Sequence, residues 1–266
     1  MAAALVFAHA SRPAAQQQAS AAQQTAPAQA PPAQTAPNPN GQAAPVAPPV
    51  PAYGGLVIVL NPAHGGTDSG ARGENGVAEK DFVMQFARAA RDELQRQGYH
   101  VVMTRDDDSN PSYDDRDAAS NIYRDAIFIS LHVGSTGTFG DARAYYYQFW
   151  TPAPPSAASN ATAASANPAA TPTFWEDAQR SYTDASRRLA DLLAAQLAQS
   201  FSGSPSASSA AAVRELRSVT APAIALEISS MSASNPERLT GLAGPLAIAI
   251  SRAVEAFRPP NSAGGH

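Results

Sequence analysis

Between residues 54 and 258 the chain carries three histidines, His64, His100 and His132, and nowhere a cysteine, so a bound metal would have to sit on His, Asp or Glu. His64 follows the apolar run Leu56 to Leu60 and precedes Gly65-Gly66, where backbone can approach a bound group closely. His132 follows a second apolar run, Ala126 to Leu131, and Glu79 opens a segment of helical period behind a glycine-rich loop, 65 to 76. If the two runs are neighbouring parallel strands, both imidazoles and the carboxylate reach one edge of a sheet. Two His and one Glu form the ligand set of a catalytic Zn²⁺ that keeps a position open for water. Glu227 sits between Leu226 and Ile228 in a further apolar run, where a carboxylate is costly to bury without a partner or a task. Each residue also has an ordinary explanation. His64 can cap a loop, His132 can be a satisfied core histidine, Glu79 can answer a helix dipole, and Glu227 can pair with Arg214 or Arg217. Their coincidence at one edge favours a single site. His100, between Tyr99 and Val101 at the start of a strand, is assigned to structure, and the acidic run Asp106 to Asp108 reads as a solvated loop.

The elements that must hold these residues can be read from apolar periodicity. Leu56 to Leu60 is a buried strand. Phe82, Val83, Phe86, Ala87, Ala90 and Leu94 give a helix from Glu79 to Gln97 that Gly98 stops. Tyr99 to Thr104 is the next strand, Asp114 to Tyr123 a shorter helix, and Ala126 to Leu131 the third strand, so two strand-helix-strand units predict parallel pairing. Ala142 to Trp150 is a fourth strand, rich in Tyr and Phe. A long helix from about Glu176 to Phe201, a Ser/Ala loop, a fifth strand from Ala223 to Ile228, and a last helix starting at Ser234-Asn235-Pro236-Glu237 and ending near Phe257 complete the series. The expected fold is α/β: a single domain with a twisted, mostly parallel β-sheet and helices on both faces, its ligands at the carboxyl ends of the strands.

Of 266 residues 44% are apolar and only 15% charged, a low charge share that points to low-complexity segments. Residues 11 to 52 hold ten of the 23 prolines and eight glutamines, with Arg12 as the one charge, which suits a disordered linker. Ala2 to Ala10 has the length of a signal h-region and ends Ala8-His9-Ala10, a small-x-small cleavage pattern, although no basic residues precede it. Residues 1–53 are thus expected to be a truncated signal-like segment plus tether, and the protein to be exported to the periplasm or cell wall. Residues 54–258 form the globular domain, 151–173 is a charge-free insertion within it, and 259–266 is a tail. The insertion, followed by Phe174-Trp175-Glu176, is expected beside the site, where it could block it. A net charge of −4 with scattered arginines argues against nucleic acid as partner. No run reaches the eighteen or so apolar residues of a membrane span. Lys80, the single lysine, makes Schiff-base chemistry an improbable role.

Several motifs in order resemble the zinc-dependent N-acetylmuramoyl-L-alanine amidases of the autolysin type. They are Asn61-Pro62-Ala63-His64-Gly65-Gly66, Glu79-Lys80-Asp81, Thr104-Arg105-Asp106, Arg116, Ser130-Leu131-His132, and Ala225-Leu226-Glu227 with Ser234-Asn235-Pro236-Glu237. The resemblance implies His64, Glu79 and His132 as zinc ligands and Glu227 as the catalytic glutamate. It also implies peptidoglycan as substrate, hydrolysed between N-acetylmuramic acid and L-alanine during cell-wall remodelling or cell separation. A regulatory protein partner is left open. The chain differs from the usual family pattern at Asn61 and Ala63, at Val133 and Gly134, and from Ile228 to Met231. A zinc carboxypeptidase would carry its Glu three residues after the first His, where this chain has Thr67. The other reading is a catalytically silent peptidoglycan-binding domain of the same fold.

Overall fold

The computed structural model describes residues 55–73, 76–149, 175–231 and 236–257. The leading segment 1–53, the insertion 151–173 and the tail 259–266 lie outside the described residues.

Strand β1 (Val57–Pro62) is buried on both faces and lies between β2 (His100–Met103) and β3 (Ala126–Gly134), parallel to each. Helix α1 (Glu79–Arg96) connects β1 to β2, and α2 (Tyr113–Asn121) connects β2 to β3. The apolar stripe of α1 is buried as its period requires, and past its end Gly98 takes a φ of 87°, a conformation glycine adopts at little cost. Ser112 caps α2: its hydroxyl accepts from the Asp115 amide while the Asp115 carboxylate accepts from the Ser112 amide. Strand β6 (Ala223–Ser229) pairs parallel with β3.

Two features depart from the sequence expectation. Strand β4 (Ala142–Tyr147) runs antiparallel to β6, and the short β5 (Ser209–Ala211), within the expected Ser/Ala loop, pairs parallel with β4. The sheet order is β2-β1-β3-β6-β4-β5. Strand β3 also continues through His132 to Gly134, so His132 lies inside the strand, opposite Glu227 of β6, rather than after its end. A partner strand of matching length supplies the ladder that the sequence pattern alone could not show.

The long helix begins later than its period suggests. Residues Trp175–Tyr182 form a 3-10 helix, and α3 (Thr183–Ser200) follows. Buried Gln179 donates from its amide to the carbonyls of Val219 and Ala221 and accepts from Ser186, which ties this turn to the chain entering β6. The C-terminal helical region is α4 (Pro236–Thr240) and α5 (Ala243–Phe257). The stretch Arg238–Phe257 has the length and apolar character of a membrane span. Here its face bearing Leu246, Ile250 and Val254 is buried in the protein core.

Period-two alternation divides the sheet between two cores. Ile58, Leu60, Ile127, Ile129, Leu131, Ile224, Leu226 and Ile228 pack with α1, α3 and α5. Val57, Val59, Phe128 and Ala225 face a smaller cluster containing Leu216 and Val219. The same alternation places Asn61, Ser130, His132 and Glu227 on this second face, toward the carboxyl ends of β1, β3 and β6.

Candidate metal centre

His64 follows the end of β1 in a left-handed conformation, φ 61°, that non-glycine residues rarely adopt. Two arginines hold it there. Arg116 donates to the carbonyls of Pro62 and His64 at 2.9 Å each, and Arg105 donates to those of Pro62 and Ala63 at 2.9 and 2.8 Å. Both guanidiniums are buried with their planar forks spent on the loop backbone. Lys80 and Asp108 brace the outer side: the ammonium reaches Gly66 O and the Asp108 carboxylate, which accepts in turn from the Gly66 amide. The acidic run is therefore a loop anchor, with Asp106 paired to Arg88 and Arg91.

Glu79, the first residue of α1, is 4% exposed. Its carboxylate accepts from the amides of Ala71 and Val133 and lies 3.2 Å from both His64 Nε2 and His132 Nδ1. Burial alone would raise its pKa, but these contacts outweigh burial and hold it well below the usual carboxylate range. One donor atom from each of His64, Glu79 and His132 lies within 4.8 Å of the others, so the cluster could hold a metal ion. The far ring nitrogens face carboxylates: His64 Nδ1 lies 2.9 Å from Asp68 Oδ2, and His132 Nε2 contacts Glu215 Oε1. An ionised carboxylate only accepts, so Asp68 and Glu215 hold an N–H on the outward nitrogen of each ring, and a metal would take the inner nitrogen, which without one shares its proton with Glu79. Without metal, burial lowers the His132 pKa, yet its bonds to Glu215 and Glu79 prevail and lift it to about 9. His64 is raised chiefly by Glu79.

Glu227 lies across the β3–β6 ladder from His132 and shares with it an open cleft of about 310 Å³, also lined by Tyr145, Arg214 and Glu215. Neither expected arginine pairs with it: Arg217 binds Glu176, and Arg214 stacks on Tyr113. A second cleft of about 230 Å³, with Asn110, Tyr113 and Arg116 in its wall, opens on the other side of His132 and Glu215. All four expected residues thus come to one edge of the sheet, at the carboxyl ends of β1, β3 and β6. His100 stays at the amino end of β2, against Tyr123.

Asp68 and Glu215 escaped the sequence reading. Asp68 stands four residues after His64, a spacing that could have prompted the search, whereas Glu215 is remote from every motif.

The described part of the segment expected to block the site is elsewhere. Because β4 runs against β6, Tyr146 lies level with Ile224, near the amino end of the parallel strands. Trp175–Tyr182 is moored there too, through Gln179 and through Glu176 O, which accepts from Arg217. A parallel β4 would have sent the connection to the other edge.

The profile of the N-acetylmuramoyl-L-alanine amidase family matches residues 58–255. The chain belongs to this family. Among curated family members, amidase AmiC of Neisseria meningitidis is 40% identical over 76 residues, 29% of this chain and 18% of AmiC. The sporulation-specific amidase of Bacillus subtilis is 39% identical over 85 residues, 31% of this chain and 33% of that enzyme. The chain thus matches a third or less of the length of either relative. The amidase of Clostridium difficile 630 superposes with a TM-score of 0.58 at 20% identity, covering 77% of this chain and 97% of the other. AmiC2 of Nostoc punctiforme gives 0.57 at 22%, covering 76% and 96%. The CwlD amidase of Clostridioides difficile, solved in complex with the GerS lipoprotein, gives 0.56 at 16%, covering 76% and 97%. These likenesses show the α/β fold with its six-stranded, mostly parallel sheet.

Proposed function

We propose that the protein is a zinc-dependent N-acetylmuramoyl-L-alanine amidase that hydrolyses the amide between the lactyl group of N-acetylmuramic acid and L-alanine of the stem peptide. The observation that carries the reading is the cluster of His64, Glu79 and His132, whose His132 shares an open cleft with Glu227. The donor set fits Zn²⁺: two imidazoles and one ionised carboxylate, on a loop, a strand and a helix start held by buried hydrogen bonds. Bound zinc supplies Lewis acidity, polarising the amide carbonyl and lowering the pKa of water.

The chain's own residues do the rest. Glu227 takes a proton from the attacking water and delivers it to the departing L-alanine nitrogen, so the C–N bond breaks to give a lactyl carboxylate and a free amine. Glu215 is the other carboxylate in the cleft, but His132 and Ser130 already occupy it. Glu227 has no hydrogen-bond or ion-pair partner among the described residues, which suits a group that must exchange protons. The two clefts on either side of His132 and Glu215 give the glycan and the peptide separate places to lie.

The proposed substrate supports export to the periplasm or cell wall, where a protein regulator would act. The deciding experiment is metal analysis with a peptidoglycan digestion assay on wild type and Glu227→Ala. One zinc per chain, release of free L-alanine amino groups by wild type and none by the variant are expected. Full zinc with no release by wild type would instead identify a silent peptidoglycan-binding domain.

A further inference from the structure

We propose that Glu215 is a positioning residue of the metal centre, fixing the ring and tautomer of His132 through a buried, one-directional hydrogen-bond chain; the proposal rests on the zinc reading above. Glu215 stands in the 3-10 turn Arg214–Leu216 and is 7% exposed. Among the described residues its single ion-pair partner is His132; no lysine or arginine reaches it. A carboxylate buried in this way is costly unless donors surround it.

Those donors arrive in sequence along the same face of the sheet. Arg116 donates to Asn61 Oδ1 at 2.6 Å, and Thr104 donates to the same oxygen at 2.7 Å. With its oxygen so occupied, Asn61 turns its amide to Ser130 and donates to Oγ at 2.9 Å. Ser130, having accepted, has its hydrogen free for Glu215 Oε1 at 3.0 Å. Every hydrogen in the chain points toward Glu215, so its terminus must be a group that only accepts. The remaining donor onto Oε1 is the His132 ring, through Nε2–H. That bond fixes an N–H on Nε2 and aims Nδ1 at Glu79 Oε1, 3.2 Å away, so Nδ1 is the nitrogen offered to a metal. Arg116 also donates to His64 O, so one guanidinium is tied to the loop of one histidine and, through Asn61 and Ser130, to the ring of the other. Register makes this possible: Asn61 is level with Ser130 on β1 and β3, and both side chains are buried.

The test uses the full chain and three variants, Glu215→Ala, Glu215→Gln and Ser130→Ala, with folding checked by circular dichroism. Zinc affinity is measured by competition with a chromogenic chelator, and the His132 tautomer by ¹⁵N chemical shifts of the imidazole nitrogens. Gln keeps an oxygen that can accept from Nε2–H, whereas Ala removes it. Glu215→Ala is expected to weaken zinc binding about 10- to 100-fold and to mix the two tautomers. Gln is expected to keep the wild-type tautomer and recover most of the affinity, and Ser130→Ala to fall between. If Glu215→Ala does not fold, the same conclusion rests on graded losses in the other two. Wild-type affinity and tautomer in every folded variant would overturn the proposal, as would equal losses for Ala and Gln or a wild-type chain that takes up no zinc. Peptidoglycan hydrolysis is assayed separately. The graded zinc affinities without hydrolysis by wild type would retain Glu215 and overturn the amidase reading.

Discussion

Gly70 has no room for a side chain: a Cβ there would lie 2.5 Å from Glu79 Oε2 and 2.6 Å from His64 Cδ2, and its φ is +62°. Gly70→Ala must therefore push the carboxylate and the imidazole apart as well as strain the backbone. The expected outcome is loss of zinc uptake, read by metal analysis of the folded variant. Gly134 is tight against a different group, its added Cβ meeting Glu227 Oε1 at 3.1 Å. Gly134→Ala is expected to lower kcat while zinc affinity stays at the wild-type value, because the crowded residue is the proposed proton carrier rather than a proposed ligand. Glu227→Gln retains shape and metal and removes the base. Its turnover on peptidoglycan should fall on the order of 10²- to 10⁴-fold with zinc content unchanged. Near-normal turnover in that variant would assign proton transfer to another group.

The direction of β4 decides where its following segment can act. Since Tyr147 leaves the sheet at the edge opposite His64, and Gln179 pins the returning 3-10 helix at that same edge, both ends of the intervening stretch are remote from the cluster. Deleting Pro152 to Thr173 should leave zinc affinity within about twofold of wild type, measured by chelator competition. A tenfold change would mean that the stretch reaches across the sheet to the site. At the other edge, α1 begins with Glu79, a proposed ligand, and carries the helical face of the main core, so its packing and the candidate metal centre are coupled. Leu94, fully buried near the far end of α1, is a suitable probe. Leu94→Ala should cost roughly 2–5 kcal/mol of stability through the cavity it leaves, with zinc stoichiometry intact in the folded fraction.

Across the whole molecule, one buried acid sets a pH trend. Asp117 of α2 is 2% exposed, and its Oδ1 has no hydrogen-bond partner. Burial, then the nearby charges of Asp114 and Glu215, raise its pKa from 3.8 to about 7. The unfolded chain releases this proton near pH 4 and the folded one only near 7, so between these values the folded state binds the extra proton. Stability from this group is complete below about pH 4 and is lost as pH rises through about 7. Asp117→Asn removes the titration. Urea unfolding should show the variant more stable than wild type by roughly 1–3 kcal/mol at pH 8 and nearly equal to it at pH 4. The proposed zinc would add a separate contribution, since a ligand that binds only the folded state raises Tm with its concentration. Removing it with a chelator should lower Tm at every pH where it binds.

Much of this protein was legible in one dimension because its determinants are local. The apolar period of α1, the apolar runs that lead into His64 and His132, and the carboxylate isolated at Glu227 each announce themselves within a few residues. The parallel pairing of β1, β2 and β3 follows from connections long enough to hold a helix. What lay beyond the sequence depended on residues far apart in the chain meeting by register. The reversal of β4 came from its pairing with β6, since antiparallel and parallel strands share the same apolar pattern. The extension of β3 past His132 needed β6 beside it, and only then do His132 and Glu227 stand opposite each other. Asp117 reads as one more charge on a short polar helix until the fold buries it. Glu215 is the sharpest case: 83 positions from His132, it reaches the imidazole because the turn before β6 folds over the second face of the sheet. The sequence by itself pointed to the candidate ligands, for their chemistry lies in residue type and nearby spacing. Only the tertiary structure decided which carboxylates orient them, because a hydrogen-bond partner is chosen by distance in space.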